Sequence, residues 1–163
     1  MTETQLDAIQ RSCCFTGHRI IAAERADLQV RLKRAICQLI EESGIVNFIA
    51  GGALGFDTLA AETVLSLKQS YPKIKLLLAL PCPEQTYRWK QEDKARYDRI
   101  LAACDKYVYL SEHYTPTCMH DRNRFLVDHS SICIAYLENG AKGGTAYTVA
   151  YAKKQGVPCI NLF

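Results

Sequence analysis

Two glycine-rich turns hold most of the chemistry this chain can do. The first, Gly51-Gly52-Ala53-Leu54-Gly55-Phe56-Asp57-Thr58, lies between a short apolar run, Val46 to Ala50, and a helical pattern that begins near Phe56. Glycine there permits positive φ and lets a ligand approach the backbone with no Cβ in the way, while the first amides of the helix point at whatever fills the turn. Those free N–H groups and the positive end of the helix dipole favour an anion, most commonly a phosphate. The second turn, Lys142-Gly143-Gly144-Thr145, follows the apolar run Ile132 to Leu137 and opens another helix. Two such turns predict a nucleotide site, with Gly51, Gly52, Ala53, Gly55, Gly143, Gly144 and Thr145 as its backbone cradle. Thr145 also reads as an ordinary N-cap. A valine at Gly52 is expected to block the cradle and abolish binding in a domain that still folds.

Side chains near these turns have two readings each. Asp57, in the first turn of its helix, either complements the helix dipole or accepts ribose hydroxyls or holds a metal. Arg19 and Arg124 offer guanidinium forks for phosphate oxygens or stacking on a base, against the alternative of solvated surface arginines. His18 is a candidate general acid or nucleotide contact, or a structural histidine. Trp89, beside Tyr87, either stacks on a base or packs the following helix. His113, Cys118, His120 and His129 lack the paired spacing of a structural zinc site, so no zinc is expected.

The elements that must position these groups alternate along the chain. Ser12–Thr16, Val46–Ala50, Ile74–Leu80, Lys106–Leu110, Ser131–Leu137 and Val157–Leu162 read as six strands, and helix-period stretches separate them. Near-continuous apolar strands joined by helices predict a parallel sheet covered on both faces, a three-layer α/β sandwich of Rossmann type over residues 1–163 as one domain. In such a sheet every strand ends at one edge, where ligands bind. Thr16-Gly17-His18-Arg19, the two glycine turns, Pro81 to Gln85 and His113 to Arg124 all fall after strands, while the opposite connections are plain turns.

A 163-residue chain that is 48% hydrophobic supports a real core. A net charge of +3 suits an anionic ligand but falls short of a dedicated nucleic-acid binder, so nucleic acid is not the expected partner. No signal peptide or membrane-length apolar run is read, which predicts a cytoplasmic protein with no membrane partner. The eight cysteines fall mostly within apolar patterns without a CxxC pair, and read as buried free thiols. Nothing in the pattern decides between a monomer and a homo-oligomer.

The ordered set Thr16-Gly17-His18-Arg19, Gly52-Ala53-Leu54-Gly55 with Asp57 and Ala60-Ala61-Glu62, Glu84-Gln85, Trp89-Lys90, Tyr97, Leu101, Asp105, Arg122-Asn123-Arg124-Phe125 with Val127-Asp128, and Gly143-Gly144-Thr145 resembles the SLOG superfamily and, within it, the YpsA-like family. The resemblance implies a Rossmann-like domain that binds a nucleotide or nucleotide-derived phosphorylated ligand at the rim, with Gly17 and Asn123 added to the ligand-binding set. It leaves the ligand and any catalytic residue or cofactor unknown. A LOG-like phosphoribohydrolase that cleaves the N-glycosidic bond of a nucleoside monophosphate is the alternative. The LOG enzymes typically carry Pro-Gly-Gly-x-Gly-Thr-x-x-Glu at the second turn, whereas here Thr148 stands three residues after Thr145 and the carboxylate is missing. A further alternative is single-stranded DNA binding of the DprA kind, which calls for a basic groove with interleaved aromatics.

Overall fold

A computed structural model describes residues 1–21 and 25–163. Its sheet has six parallel strands: β1 (Ser12–Gly17), β2 (Asn47–Ala50), β3 (Lys75–Leu80), β4 (Lys106–Tyr109), β5 (Ile132–Tyr136) and β6 (Cys159–Asn161). Six α-helices accompany them: α1 (Glu3–Gln10), α2 (Arg25–Ser43), α3 (Phe56–Leu67), α4 (Gln91–Ala103), α5 (Cys118–Asp128) and α6 (Gly144–Lys154). All six strands match the expected ones to within two residues at each end. The pattern reading places no element before Ser12, yet α1 forms there. It buries no residue and rests on a capping box in which Thr2 and Gln5 satisfy each other's backbone amides.

The strand order is β4-β3-β2-β1-β5-β6. From β1 the chain winds outward through β2, β3 and β4, then returns to the other side of β1 as β5. The winding therefore reverses between β1 and β5, and the loops leaving these two strands diverge to opposite faces. That divergence opens a crevice at their carboxyl ends.

Alternation along β1 sends its side chains to two apolar layers. Cys13 and Phe15 join Leu28, Leu32 and Ile36 of α2, Phe48 of β2 and Phe56 of α3 on one face. Cys14 meets Ile49, Cys133 and Leu126 of α5 on the other. Phe15 stacks on Phe48 with ring centroids 6.1 Å apart and meets Phe56 edge-on at 6.5 Å. Each of these fully buried rings contributes roughly 1.5–3 kcal/mol of transfer free energy. Gly17 is required beside them, because a Cβ there would come within 2.4 Å of the Phe56 side chain. All eight cysteines are free thiols, and Cys13, Cys14, Cys82, Cys118 and Cys133 are buried.

One polar tie fastens the far side of the sheet. Asp105 accepts hydrogen bonds from the Leu76 amide at 2.8 Å and the Lys68 ammonium at 2.6 Å, linking the end of α3 to the entries of β3 and β4. Partial burial pushes its pKa up, but Lys68 and the Leu76 N–H outweigh that and hold it below the usual carboxylate value. The stability this group supplies is present above the unfolded pKa of about 3.9 and lost as pH falls through the lower folded one. Asp105→Asn should cost about 1 kcal/mol at pH 7, given that the pair is partly solvated. A melting temperature lower by roughly 2–4 °C at pH 7, with the deficit shrinking as pH falls below about 4, is the expected result. Equal melting temperatures at pH 7 would refute it.

Candidate functional site

Two glycine turns of similar spelling end in opposite states. At the first, α3 begins after Gly55, whose φ of +75° no L side chain adopts comfortably. The β1 loop passes directly over this helix start: the Phe56 amide donates to the His18 carbonyl at 3.1 Å. A Cβ on Gly55 would lie 2.2 Å from the Arg19 carbonyl oxygen. Asp57 then fills the place an external anion would take, since its buried Oδ2 accepts from the Ala53 amide at 3.2 Å. Gly52, with φ +72°, turns away toward β3 and α4, where a Cβ would come within 2.4 Å of Leu80 at the end of β3 and 3.4 Å of Tyr97 of α4. The first turn is closed by the protein's own atoms.

The second turn is open. Gly143 caps α6 with φ +115° and supplies no side-chain cap, and among the described residues no heavy atom lies within 4 Å of a Cβ built on it. Beside Gly144 only Asn123 Nδ2 approaches, 3.7 Å from the position a Cβ would take. The expectation of Thr145 as N-cap is corrected: Gly143 holds that position, and Thr145 lies buried in the first turn. Thr148, fully buried, donates its hydroxyl to the Gly144 carbonyl at 2.8 Å, so the position where a LOG enzyme keeps glutamate is tied up in the helix itself.

Between the turns stands a residue that the motif reading passes over. Arg122 of α5 is only 5% exposed, and its guanidinium donates through Nη1 to the Gly51 carbonyl and through Nε to Asn123 Oδ1 at 2.7 Å. Gly51 must lack a side chain for this to happen, because a Cβ would sit 2.7 Å from Arg122 Nη1 and 2.9 Å from Asp57 Oδ2. The bond to Arg122 also fixes the Asn123 amide with its oxygen inward, so its NH₂ points toward Gly144 and makes no hydrogen bond among the described residues. Burial pushes the Asp57 carboxyl above the usual carboxylate range, opposed by the Arg122 charge, the Ala53 amide and Arg19. Burial likewise pushes the Arg122 pKa down, and Asp57 pulls it back. Two desolvated charges near each other in a cleft are expensive to maintain.

These groups meet in a cleft of about 380 Å³ at the β1/β5 crevice. Of the expected ligand-binding residues, Gly17, His18, Arg19, Ala53, Asp57, Asn123, Gly144 and Thr145 line it. Gly51 lies beneath Arg122, Gly55 walls a smaller neighbouring cavity with Arg19, and Gly143 stands exposed at the lip. Arg124 is outside: it is exposed and bonds Asp121 at 2.6 Å. The helical period separates the two arginines, since Cys118, Arg122 and Leu126 share the inward face of α5 and Arg124 falls about 200° from Arg122 at 3.6 residues per turn. That phase was available in the sequence. His18 binds the β5 loop instead of standing free, its Nε2 accepting from the Glu138 amide at 2.9 Å. This bond places the ring proton of the neutral imidazole on Nδ1. Trp89 packs edge-on against Tyr97 of α4, at 5.5 Å. A larger groove of about 570 Å³ lies toward the amino ends of the strands, but its walls, such as Ile49, Leu77, Val108 and Phe125, bring few polar groups together.

Among the described residues no helix is long and apolar enough to cross a membrane. The chain is 34% identical over 139 residues to the uncharacterized SPbeta prophage-derived protein YoqJ of Bacillus subtilis, an alignment covering 78% of this chain and 81% of that protein. It is 31% identical to a UPF0398 protein of Halalkalibacterium halodurans, covering 76% of this chain but only 66% of the relative, just under two thirds of its length. Its fold resembles DNA processing protein A of Helicobacter pylori, reported for its single-stranded DNA binding mode, with TM-score 0.64 at 18% identity over 97% of this chain and 67% of that one. DNA processing protein A of Streptococcus pneumoniae gives TM-score 0.65 at 17% identity, covering 94% of this chain, which spans about half (51%) of that protein. These two likenesses establish a shared fold. A family model described as the YspA SLOG family matches residues 22–157, and on that match the chain belongs to the YpsA family of SLOG proteins.

Proposed function

We propose that this protein binds a phosphorylated, hydroxyl-bearing ligand of the nucleotide class in the β1/β5 cleft and holds it without turning it over. The observation that carries the reading is the open amino terminus of α6 with the unpartnered Asn123 NH₂ directed at it, in the same cleft as the Asp57 carboxylate. Backbone amides, the helix dipole and Asn123 form a donor set for phosphate oxygens, and Lys142 adds a cation at the rim. Asp57 faces them as an acceptor for sugar hydroxyls. The family assignment supports a nucleotide or nucleic-acid ligand.

The hydrolase alternative has less support. Asp57 is the only carboxylate lining the cleft among the described residues, whereas glycosidic cleavage ordinarily uses two. The fold shared with a single-stranded DNA-binding protein gives the nucleic-acid reading more standing than net charge allowed it. An oligodeoxynucleotide belongs in any ligand screen for that reason.

Titration calorimetry and thermal shift with AMP test the binding. A ligand at about 100 times its Kd adds roughly 2.7 kcal/mol, or roughly 5–10 °C. Gly144→Val should abolish that shift in a folded protein, because Gly144 lies outside the positive-φ region and has room for a Cβ. Gly52→Val, which the sequence alone offers as the clean probe, should instead unfold the chain against Leu80. A folded Gly144→Val variant with wild-type AMP affinity refutes the α6 cradle.

Asp57 gives an independent test. With its folded pKa above the unfolded value of about 3.9, the unfolded chain loses this proton first as pH rises, so stability attributable to the group is full below that value and declines through the folded pKa. The melting temperature of Asp57→Asn minus that of wild type should therefore increase with pH from about 4 upward, while AMP affinity falls at least tenfold. A difference that stays flat with pH, or an unchanged affinity, counts against the acceptor role.

A further inference from the structure

At the mouth of the same cleft stands an aromatic pair whose exposed member the anion cradle does not explain. His120 of α5 lines the cleft and is exposed, and its ring lies 4.3 Å from that of Tyr147 of α6, tilted by 57°. Tyr147 is half-buried and backed by Tyr151, whose ring is parallel to it at 6.4 Å. The backing is pinned to α5, since the Tyr151 hydroxyl donates to Asp128 at 2.8 Å. Arg124, nearby on α5, is held by Asp121 at 2.6 Å. The result is a braced column of rings whose outermost member, the imidazole of His120, is the one left in solvent.

We infer that this column is the platform on which the base of the ligand stacks, making His120 and Tyr147 the residues that select nucleotides over simple sugar phosphates. The inference rests on the reading above, because it takes the phosphate to sit at Gly144. From Gly144 to Tyr147 the helix rises about 4.5 Å, a little under one turn. A phosphate on the first amides of α6 and a ring over His120 are therefore separated by about one helical turn, the span a pentose bridges. Asp57, on the opposite wall, would receive that pentose's hydroxyls. Aromatic surface stacks with every base, so the platform predicts selectivity for the presence of a base and little for its identity, with purines favoured by ring area.

Calorimetry with AMP and ribose 5-phosphate on the full chain tests this. Wild-type protein should bind AMP at least tenfold tighter than ribose 5-phosphate, a ratio within the range that a single base–aromatic stack supplies. His120→Ala should collapse most of that ratio by weakening AMP alone, leaving ribose 5-phosphate affinity as in the wild type, and His120→Phe should restore it. Tyr147→Leu, which keeps apolar packing between α5 and α6, should weaken AMP in the same selective way. Equal wild-type affinities for the two ligands overturn the platform while leaving the anion cradle standing, as does a His120→Ala variant that weakens both alike. Wild-type protein that binds neither ligand removes the nucleotide reading itself and the platform with it.

Discussion

The site depends on one buried guanidinium. Arg122 rises from α5 on one face of the sheet and reaches the carbonyl at the end of β2, whose own crossover helix lies on the other face. Only at the carboxyl edge beside the switch point can a side chain from one layer meet a turn that belongs to the other. The contact settles several residues at once. Gly51 has to be glycine, Asp57 becomes the counter-charge, and Asn123 is oriented with its amide donors toward α6.

That arrangement is costly for folding. Two opposite charges buried near each other give back little of their desolvation energy, and here burial outweighs the attraction for both Asp57 and Arg122. A well-packed apolar pair of similar volume would be at least as stable. In the proposed function the charges would provide preorganisation, with donors and an acceptor fixed in the cleft before a ligand arrives, so that binding costs less in side-chain ordering.

The fold was legible in the sequence because parallel strands buried on both faces spell themselves as short apolar runs, and turn residues punctuate them. Six runs became six strands and set the rim where the ligand residues gather. Helix α1 escaped that reading because it buries nothing, and only the Thr2 and Gln5 capping box announced it. At the site, residue type was informative and space was not. Glycines at 51, 52 and 55 looked like room for a phosphate, yet Arg122, Leu80 and the Arg19 backbone occupy that room, from elements distant in sequence. Arg122 was within reach of a helical-phase argument over Cys118 to Asp128. His18 was not, because its partner is a backbone amide more than a hundred residues away.

The different fates of the two glycine turns follow from topology more than from their residues. α3 starts at the end of β2, and the loop leaving neighbouring β1 runs back across it, so the His18 carbonyl and the Asp57 carboxylate satisfy its first amides. α6 starts at the end of β5, beyond the switch point, where the described part of the β1 loop meets the β5 loop through His18 and the Glu138 amide, ahead of the glycine turn. Among the described residues no hydrogen bond reaches the Gly144, Thr145 or Ala146 amides at the start of α6. A parallel sheet that reverses its winding once thus leaves one helix terminus beside the reversal uncovered, and the residues this sequence places there, Gly143, Gly144 and Asn123, keep it open and aim one more donor at it.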